Sequence, residues 1–277
     1  YLDGYLPDDN VRFRDYEIRF KENDTESVLS SEVLVDFPEL EKNFENFRLK
    51  TNKGSVYKGE VLAIMGANGL GKSTFLNLLS GKIKPESGDA GEYNISYKEQ
   101  YPSREFEGSV RNELMAVAKA EFNSGWYKQN ILEKLNLNKV IDNKIKELSG
   151  GELQKFHVAL CLSREADIYA LDEPSAFVDV EDRLKVAEVI KEFITKKEKC
   201  AIVIDHDVQF VDYLGDRMLV FLGEPAIKGF VEGPLSKREG MNKVLEMLDI
   251  TYRKDISSHR PRINKPGSNL DSEQRKK

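Results

Sequence analysis

Apolar and polar positions change period several times along the chain, and the changes mark out its elements. Near the start, VRFR and YEIRF alternate, then a polar stretch runs over residues 21–31, which predicts edge strands joined by a loop. SEVLVDF and NFRLKT are further strand-like runs ahead of VYKGEVLAIMG, so an antiparallel sheet is expected before residue 61. The run VLAIM is wholly apolar, and Lys72 to Leu79 follows it as a helix. KIKPESGDAGEYNISYKEQ is a turn and then a strand finishing near Gln100. From Ser109 to Lys146 the period becomes helical, with Val110, Leu114 and Val117, then Ile131, Leu135 and Leu137, on apolar faces. LQKFHVALCLS extends this helical region, about residues 105–165 in all, which separates two sheet segments. DIYALDEP is a strand, Leu184, Ala187, Ile190 and Ile194 share one helix face, and CAIVI and DRMLVFLG are two more strands. Residues 223–240 are turn-rich, and MNKVLEMLDI is a short amphipathic helix. Strands alternating with helices point to an α/β fold.

With 277 residues, 40% hydrophobic and 32% charged, the chain can bury a sizeable core. No stretch reaches the roughly 18 consecutive apolar residues of a membrane span, and no secretory leader is evident, so a cytoplasmic protein without a membrane role is expected. Cys161 and Cys200 lack metal spacing and read as buried thiols. The net charge of −6 is uneven: residues 253–277 hold eight Lys or Arg against three acids, a tail of +5 that leaves −11 on the rest. Such a tail suits an anionic surface, or is a solvated end. The chain begins at Tyr1 rather than Met, which suggests a fragment of a longer protein.

The candidate chemistry begins where VLAIM meets Gly66-Ala-Asn-Gly-Leu-Gly-Lys72-Ser73, the GxxxxGK[ST] pattern of a phosphate-binding loop. Glycines at 66, 69 and 71 allow a curl of inward N–H groups. Asn68 and Thr74 belong to the same loop, Lys72 supplies charge for the β- and γ-phosphates, and Ser73 a hydroxyl for magnesium. Gln100, at a strand end, is placed to orient a water or complete a magnesium shell. Ser149 to Glu152 opens a helix whose free N–H groups make a second anion site, which one monomer cannot readily bring to the same nucleotide. Asp172 and Glu173 end an apolar strand, where Asp172 would hold the magnesium and Glu173 polarise the attacking water. Asp179 precedes a helix, as an N-cap or more. His206 follows another strand end, whereas His157 and His259 read as structural or solvated. Phe44 is the candidate adenine contact, with Phe37 as its competitor, and on sequence alone each reads as core before ligand.

In this order, GANGLGKS, Gln100, LSGGE, LDEP, SAFVD and His206 resemble the nucleotide-binding domain of the ATP-binding cassette superfamily, over about residues 34–223. The resemblance implies a P-loop NTPase fold with an antiparallel β subdomain, a helical signature subdomain and a C-terminal hinge-like extension. By it, Lys72, Ser73, Gln100, Asp172, Glu173 and His206 match positions that handle phosphates, magnesium and water. Ser149 and Gly151 match the signature that caps the ATP of the opposite domain, and Asp179 the loop linking the two sites. GYLPDDNVRFR, LSGGELQ, DEPSAFVD, GMNKVLEMLDITYRKD and RPRINK further resemble the second cassette of the ribosome-recycling ATPase, or RNase L inhibitor, family. That resemblance implies a cassette over residues 1–252, a basic hinge over 253–277, and ATP and Mg2+ as cofactors. It implies a second cassette, ribosomal subunits and release factors as partners, an rRNA contact as a further option, and weak hydrolysis by one cassette alone. The family's iron–sulfur domain is not assigned, since two cysteines cannot make such a site. A transporter's ATPase subunit, another soluble cassette translation factor, and a clamp that grips ATP without turnover are the alternatives.

Overall fold

A computed structural model of the chain describes residues 30–89 and 93–247, together with the backbone of short strands at 5–6, 11–12, 252–254 and 261–263. The chain divides into two compact units, Val28–Val244, and Tyr1–Ser27 with Leu245–Lys277. In the second unit, 5–6 pairs antiparallel with 11–12, and 252–254 with 261–263. The rest of the basic segment 253–277 lies outside the described residues.

The larger unit is built on parallel strands whose wholly apolar sequences suit burial on both faces. β1 (Val33–Phe37) pairs antiparallel with β4 (Gly54–Tyr57), and β2 (Leu40–Asn43) with β3 (Arg48–Thr51). β5 (Val61–Met65), β6 (Ile95–Lys98), β7 (Ile168–Asp172), β8 (Cys200–Ile204), β9 (Arg217–Glu224) and β10 (Lys228–Ser236) complete the set. Eight of these strands form one sheet in the order β2-β3-β10-β9-β5-β8-β7-β6, parallel from β9 to β6. One row of this ladder joins Leu219, Ile64, Ile204 and Asp172, while Lys98 pairs with Leu171 one step earlier.

Period-two alternation divides the core between the two faces of the sheet. Val61, Tyr169, Leu171, Ala201 and Val203 join a cluster with α2 (Val110–Ala118), α3 (Gly150–Ser163), α4 (Val180–Lys197) and α5 (Val208–Leu214). Leu62, Ile64, Ile168, Ala170 and Ile202 join the other, with Phe75 and Leu79 of α1 (Lys72–Leu79) and the buried side chains of β1 to β3. Between α2 and α3 the chain runs through short 3-10 and π turns, so the helical region is real but broken.

The structure differs from the sequence expectation over residues 223–240, where β10 and then α6 (Lys237–Met247) replace a turn-rich stretch. The glycines there serve close packing: a Cβ on Gly229 would lie 2.2 Å from the Leu70 carbonyl oxygen. Among the described residues, no helix is long and apolar enough to cross a membrane.

Candidate functional site

The parallel strands release their side chains at a common C-terminal edge, where ligands of open α/β sheets sit. Beyond that edge stand Gly66, Gln100, Glu173 and His206, each within two residues of its strand's last position. Gly66, Gly69 and Gly71 have φ values of 150°, 79° and 92°, which side chains with a Cβ rarely adopt. A Cβ on Gly66 would also lie 2.6 Å from Phe221, so the loop is held against β9 by a contact only glycine allows. The loop delivers Lys72 as the first residue of its helix, where the dipole favours an anion.

A cavity of about 510 Å³ opens here, lined by Asn68, Gly69, Gly71, Lys72, Ser73, Thr74, Gln100, Asp172 and Glu173, with Phe47 and Ala226 on its wall. Its volume lies within the usual span for a small-molecule site. Lys72 is buried, and its Nζ donates to the Gly66 carbonyl at 2.8 Å and approaches Asn68 Oδ1 and His206 Nε2, both at 3.4 Å. Burial pulls its pKa down, and the carboxylates of Asp172, Glu173 and Asp205 oppose that pull. Gln100 Nε2 donates to Glu173 Oε1 at 2.8 Å, and His206 Nε2 lies 3.4 Å from the same oxygen and 3.2 Å from Asn68 Oδ1. An Nε2–H serves those two oxygens, whereas a bare Nε2 accepts from Lys72, so the tautomer decides which contact forms. Burial raises the Asp172 carboxyl above its ordinary value, although Tyr97 donates its hydroxyl to Oδ2 at 3.0 Å.

Behind this front, Asp205 is buried and accepts from the Ser175 hydroxyl at 2.9 Å and from the N–H groups of Ser175 and Asp207 at 3.1 and 2.9 Å. It thereby ties the loop after Glu173 to the loop carrying His206. Burial pushes its carboxyl up as well.

Other candidates fall elsewhere. Ser149 caps α3 through a reciprocal box with Glu152, and neither it nor Gly151 lines the cavity. Asp179 occupies the N-cap position of α4 without a side-chain cap bond. Phe37 is buried against Phe75 at 5.4 Å, which leaves no face for a base. Phe44 is exposed and outside the lining, whereas Phe47, 6.4 Å away, is on the wall. Sequence reasoning passed over Phe47, although it lies in the same KNFENF run; the β2–β3 hairpin decides which ring faces the loop. Ala226 carried no signal at all.

The donors fit a triphosphate with a hard cation. The Ser73 hydroxyl, Gln100 amide and Asp172 carboxylate all line the cavity and offer oxygen ligands, and a cation that keeps waters and phosphate oxygens needs few from protein. Among the described residues, no cluster of three or more His, Cys, Asp or Glu is placed to hold a metal by itself.

Comparison with known proteins agrees with this geometry. A family model described as ABC transporter matches residues 49–176, from β3 to the loop after Glu173. The ABC transporter E family member 3 of Arabidopsis thaliana is 35% identical over 169 residues, covering 58% of this chain and 93% of that protein. The chain belongs to the E family of ATP-binding cassette proteins. This cassette is also 40% identical over 278 residues to translation initiation factor RLI1 of Chaetomium thermophilum, covering 99% of the chain and 46% of that protein. A solved complex of the archaeal ribosomal stalk protein aP1 with the archaeal ribosome recycling factor aABCE1 matches it with a TM-score of 0.89 at 44% identity, over 99% of this chain and 53% of that one. The cassette thus spans about half the length of such relatives. The family-matched segment holds the phosphate loop, Gln100, Ser149 and Glu173, while His206 lies past its end.

Proposed function

We propose that this cassette binds and hydrolyses Mg-ATP as one half of a soluble twin-cassette ATPase that splits and recycles ribosomes. The observation that carries hydrolysis is the convergence of Gln100 and His206 on the Glu173 carboxylate at the mouth of the Lys72 cavity. Lys72 and the loop N–H groups bind the β- and γ-phosphates; Ser73, Gln100 and Asp172 hold the cation. When bound, Mg2+ neutralises charge on the phosphate oxygens. Glu173 orients and deprotonates water, Gln100 fixes the carboxylate that does so, and His206 exchanges a proton with the reacting oxygens. Ser149 and Gly151 cap the nucleotide of a second cassette, and Asp179 sits on the loop between the two sites. A clamp without turnover is disfavoured, because it has no use for a carboxylate held by a glutamine and a histidine.

The ribosomal role is supported by likeness over nearly the whole chain to a recycling factor solved with a ribosomal stalk protein. Its partners are the second cassette, ribosomal subunits, rRNA and release factors, in the cytoplasm. The test uses the full-length protein with labelled ATP and ribosomes on sucrose gradients. Lys72→Ala weakens ATP binding about ten-fold or more, whereas Glu173→Gln binds as well as wild type, hydrolyses slowly and fails to recycle through repeated splitting rounds. Equal loss of binding in both variants refutes the division of labour, and gradients unchanged by ATP refute the ribosomal role.

A further inference from the structure

A lysine whose hydrogen bonds, among the described residues, all go to backbone carbonyls is buried directly behind the catalytic pair. Lys98, the last residue of β6, is 2% exposed. Its Nζ donates to the backbone carbonyls of Asp172 at 2.7 Å, Glu99 at 3.0 Å and Glu173 at 3.5 Å. All of these acceptors are neutral backbone oxygens. Burial pulls the ammonium down to about 8 even with Asp172 nearby, so these contacts do not fully compensate its removal from water. A methionine of similar length would fill the space without that desolvation, and the position is therefore a poor device for stability alone.

What the ammonium does hold is the junction between two strand ends. Lys98 pairs with Leu171 in the ladder, so the next residues on each strand lead to Gln100 on one side and to Asp172 and Glu173 on the other. The Glu173 backbone there has φ 46°, a left-handed conformation uncommon for a residue with a side chain. Its carbonyl accepts a second side-chain donor, Gln154 Nε2, at 2.5 Å. Gln154 is fully buried in α3, and its Oε1 is the one buried side-chain N or O atom among the described residues with no hydrogen-bond partner. Two enclosed polar side chains, from a strand and from a helix, thus meet at consecutive carbonyls, Lys98 chiefly at Asp172 and Gln154 at Glu173, whose oxygen also accepts the Ala176 N–H at 3.2 Å.

We infer that Lys98 and Gln154 are positioning residues for Glu173: by gripping the carbonyls of Asp172 and Glu173 they hold the backbone in the left-handed turn that aims the Glu173 carboxylate at Gln100 and His206. Neither lines the nucleotide cavity, so neither contributes to ATP affinity. Removing a grip leaves the phosphate loop intact and lets the peptide after Asp172 relax toward ordinary dihedrals, which moves the carboxylate away from its water.

This inference rests on the hydrolytic role proposed for Glu173. The experiment is steady-state ATP hydrolysis by the full-length protein carrying Lys98→Met or Gln154→Met, with Glu173→Gln defining the rate that does not depend on this site. The expected result is a loss of about ten- to a hundred-fold in the Glu173-dependent kcat, the range seen when supporting contacts around a site are removed. The KM for ATP stays within about two-fold of wild type. Should Lys98→Met fail to fold, Gln154→Met alone carries the test through the same split. A folded variant that hydrolyses at the wild-type rate overturns the inference, as does a loss of kcat matched by an equal loss of ATP affinity. If Glu173→Gln itself is as fast as wild type, the catalytic assignment of Glu173 falls, and the inference with it.

Discussion

At the scale of residues, an aromatic face beside a phosphate loop offers a base a stacking surface. Phe47 meets that description, because its ring touches the place where a Cβ on Gly71 would sit, at 2.9 Å, and lines the cavity. Stacking of a base on an aromatic ring contributes about 1–3 kcal/mol. Phe47→Ala is expected to weaken ATP binding about ten-fold, and Phe44→Ala to change it by less than about two-fold, in a titration with fluorescent nucleotide. The reverse order would return the role to Phe44. Lys72, Ser73 and the glycines were legible because a phosphate loop is a local code, with every contributor inside eight positions. The choice between Phe44 and Phe47 was not legible, since three positions along a hairpin separate two rings of identical chemistry. Lys98 was hidden for another reason: its acceptors at Asp172 and Glu173 lie 74 and 75 residues away, and nothing near it in sequence marks it as buried.

At the scale of elements, α3 and α4 are joined by a nearly enclosed ion pair, Lys155 to Asp182 at 2.6 Å, with Lys185 adding a second contact at 3.0 Å. Burial alone would raise the Asp182 carboxyl, but the hydrogen bonds from Lys155 and Lys185 outweigh it and hold its pKa below the ordinary carboxylate value. A carboxyl lowered in the folded state contributes stability that is complete above its ordinary value and lost as pH falls through the lowered one. Asp182→Asn is expected to cost about 1–2 kcal/mol at pH 7, read as a shift in urea midpoint, with the gap to wild type closing below about pH 4. A gap unchanged by pH would show that the pair acts through shape rather than charge. The alternation of strands and helices pointed to an α/β fold, and its parallel strands are apolar throughout because they are buried on both faces. β10 was missed because glycines needed for its approach to Leu70 read in sequence as turns.

At the scale of the molecule, the cavity draws its walls from the phosphate loop, Gln100 and the Asp172–Glu173 pair but not from Ser149 or Gly151. A single cassette then leaves the terminal phosphate open to bulk water, where electrostatic stabilisation of a transition state is weaker. ATP hydrolysis per chain is expected to rise with concentration, and light scattering to show ATP-dependent pairing that Glu173→Gln strengthens. A full, constant rate at concentrations where only monomer scatters would show that one chain completes its own site. The motif order made a two-cassette reading available from sequence. The wall that lacks Ser149 needed three-dimensional placement, because separation along a chain does not measure distance across a sheet.

The ladder row through Leu219, Ile64, Ile204 and Asp172 also sets which changes of length the molecule can absorb. Neighbouring strands stand about 4.8 Å apart, so the residues released just beyond that row are spaced by the pitch of the sheet rather than by the loops that follow. Deleting one residue inside β7 or β8 would turn Asp172 or Asp205 to the opposite face and shift every later group on that strand by a step. Insertions among the broken turns of residues 119–147 would leave the pitch untouched. Homologous cassettes can therefore lengthen, shorten or exchange that region while the distances among phosphate loop, glutamine, carboxylates and histidine stay constant.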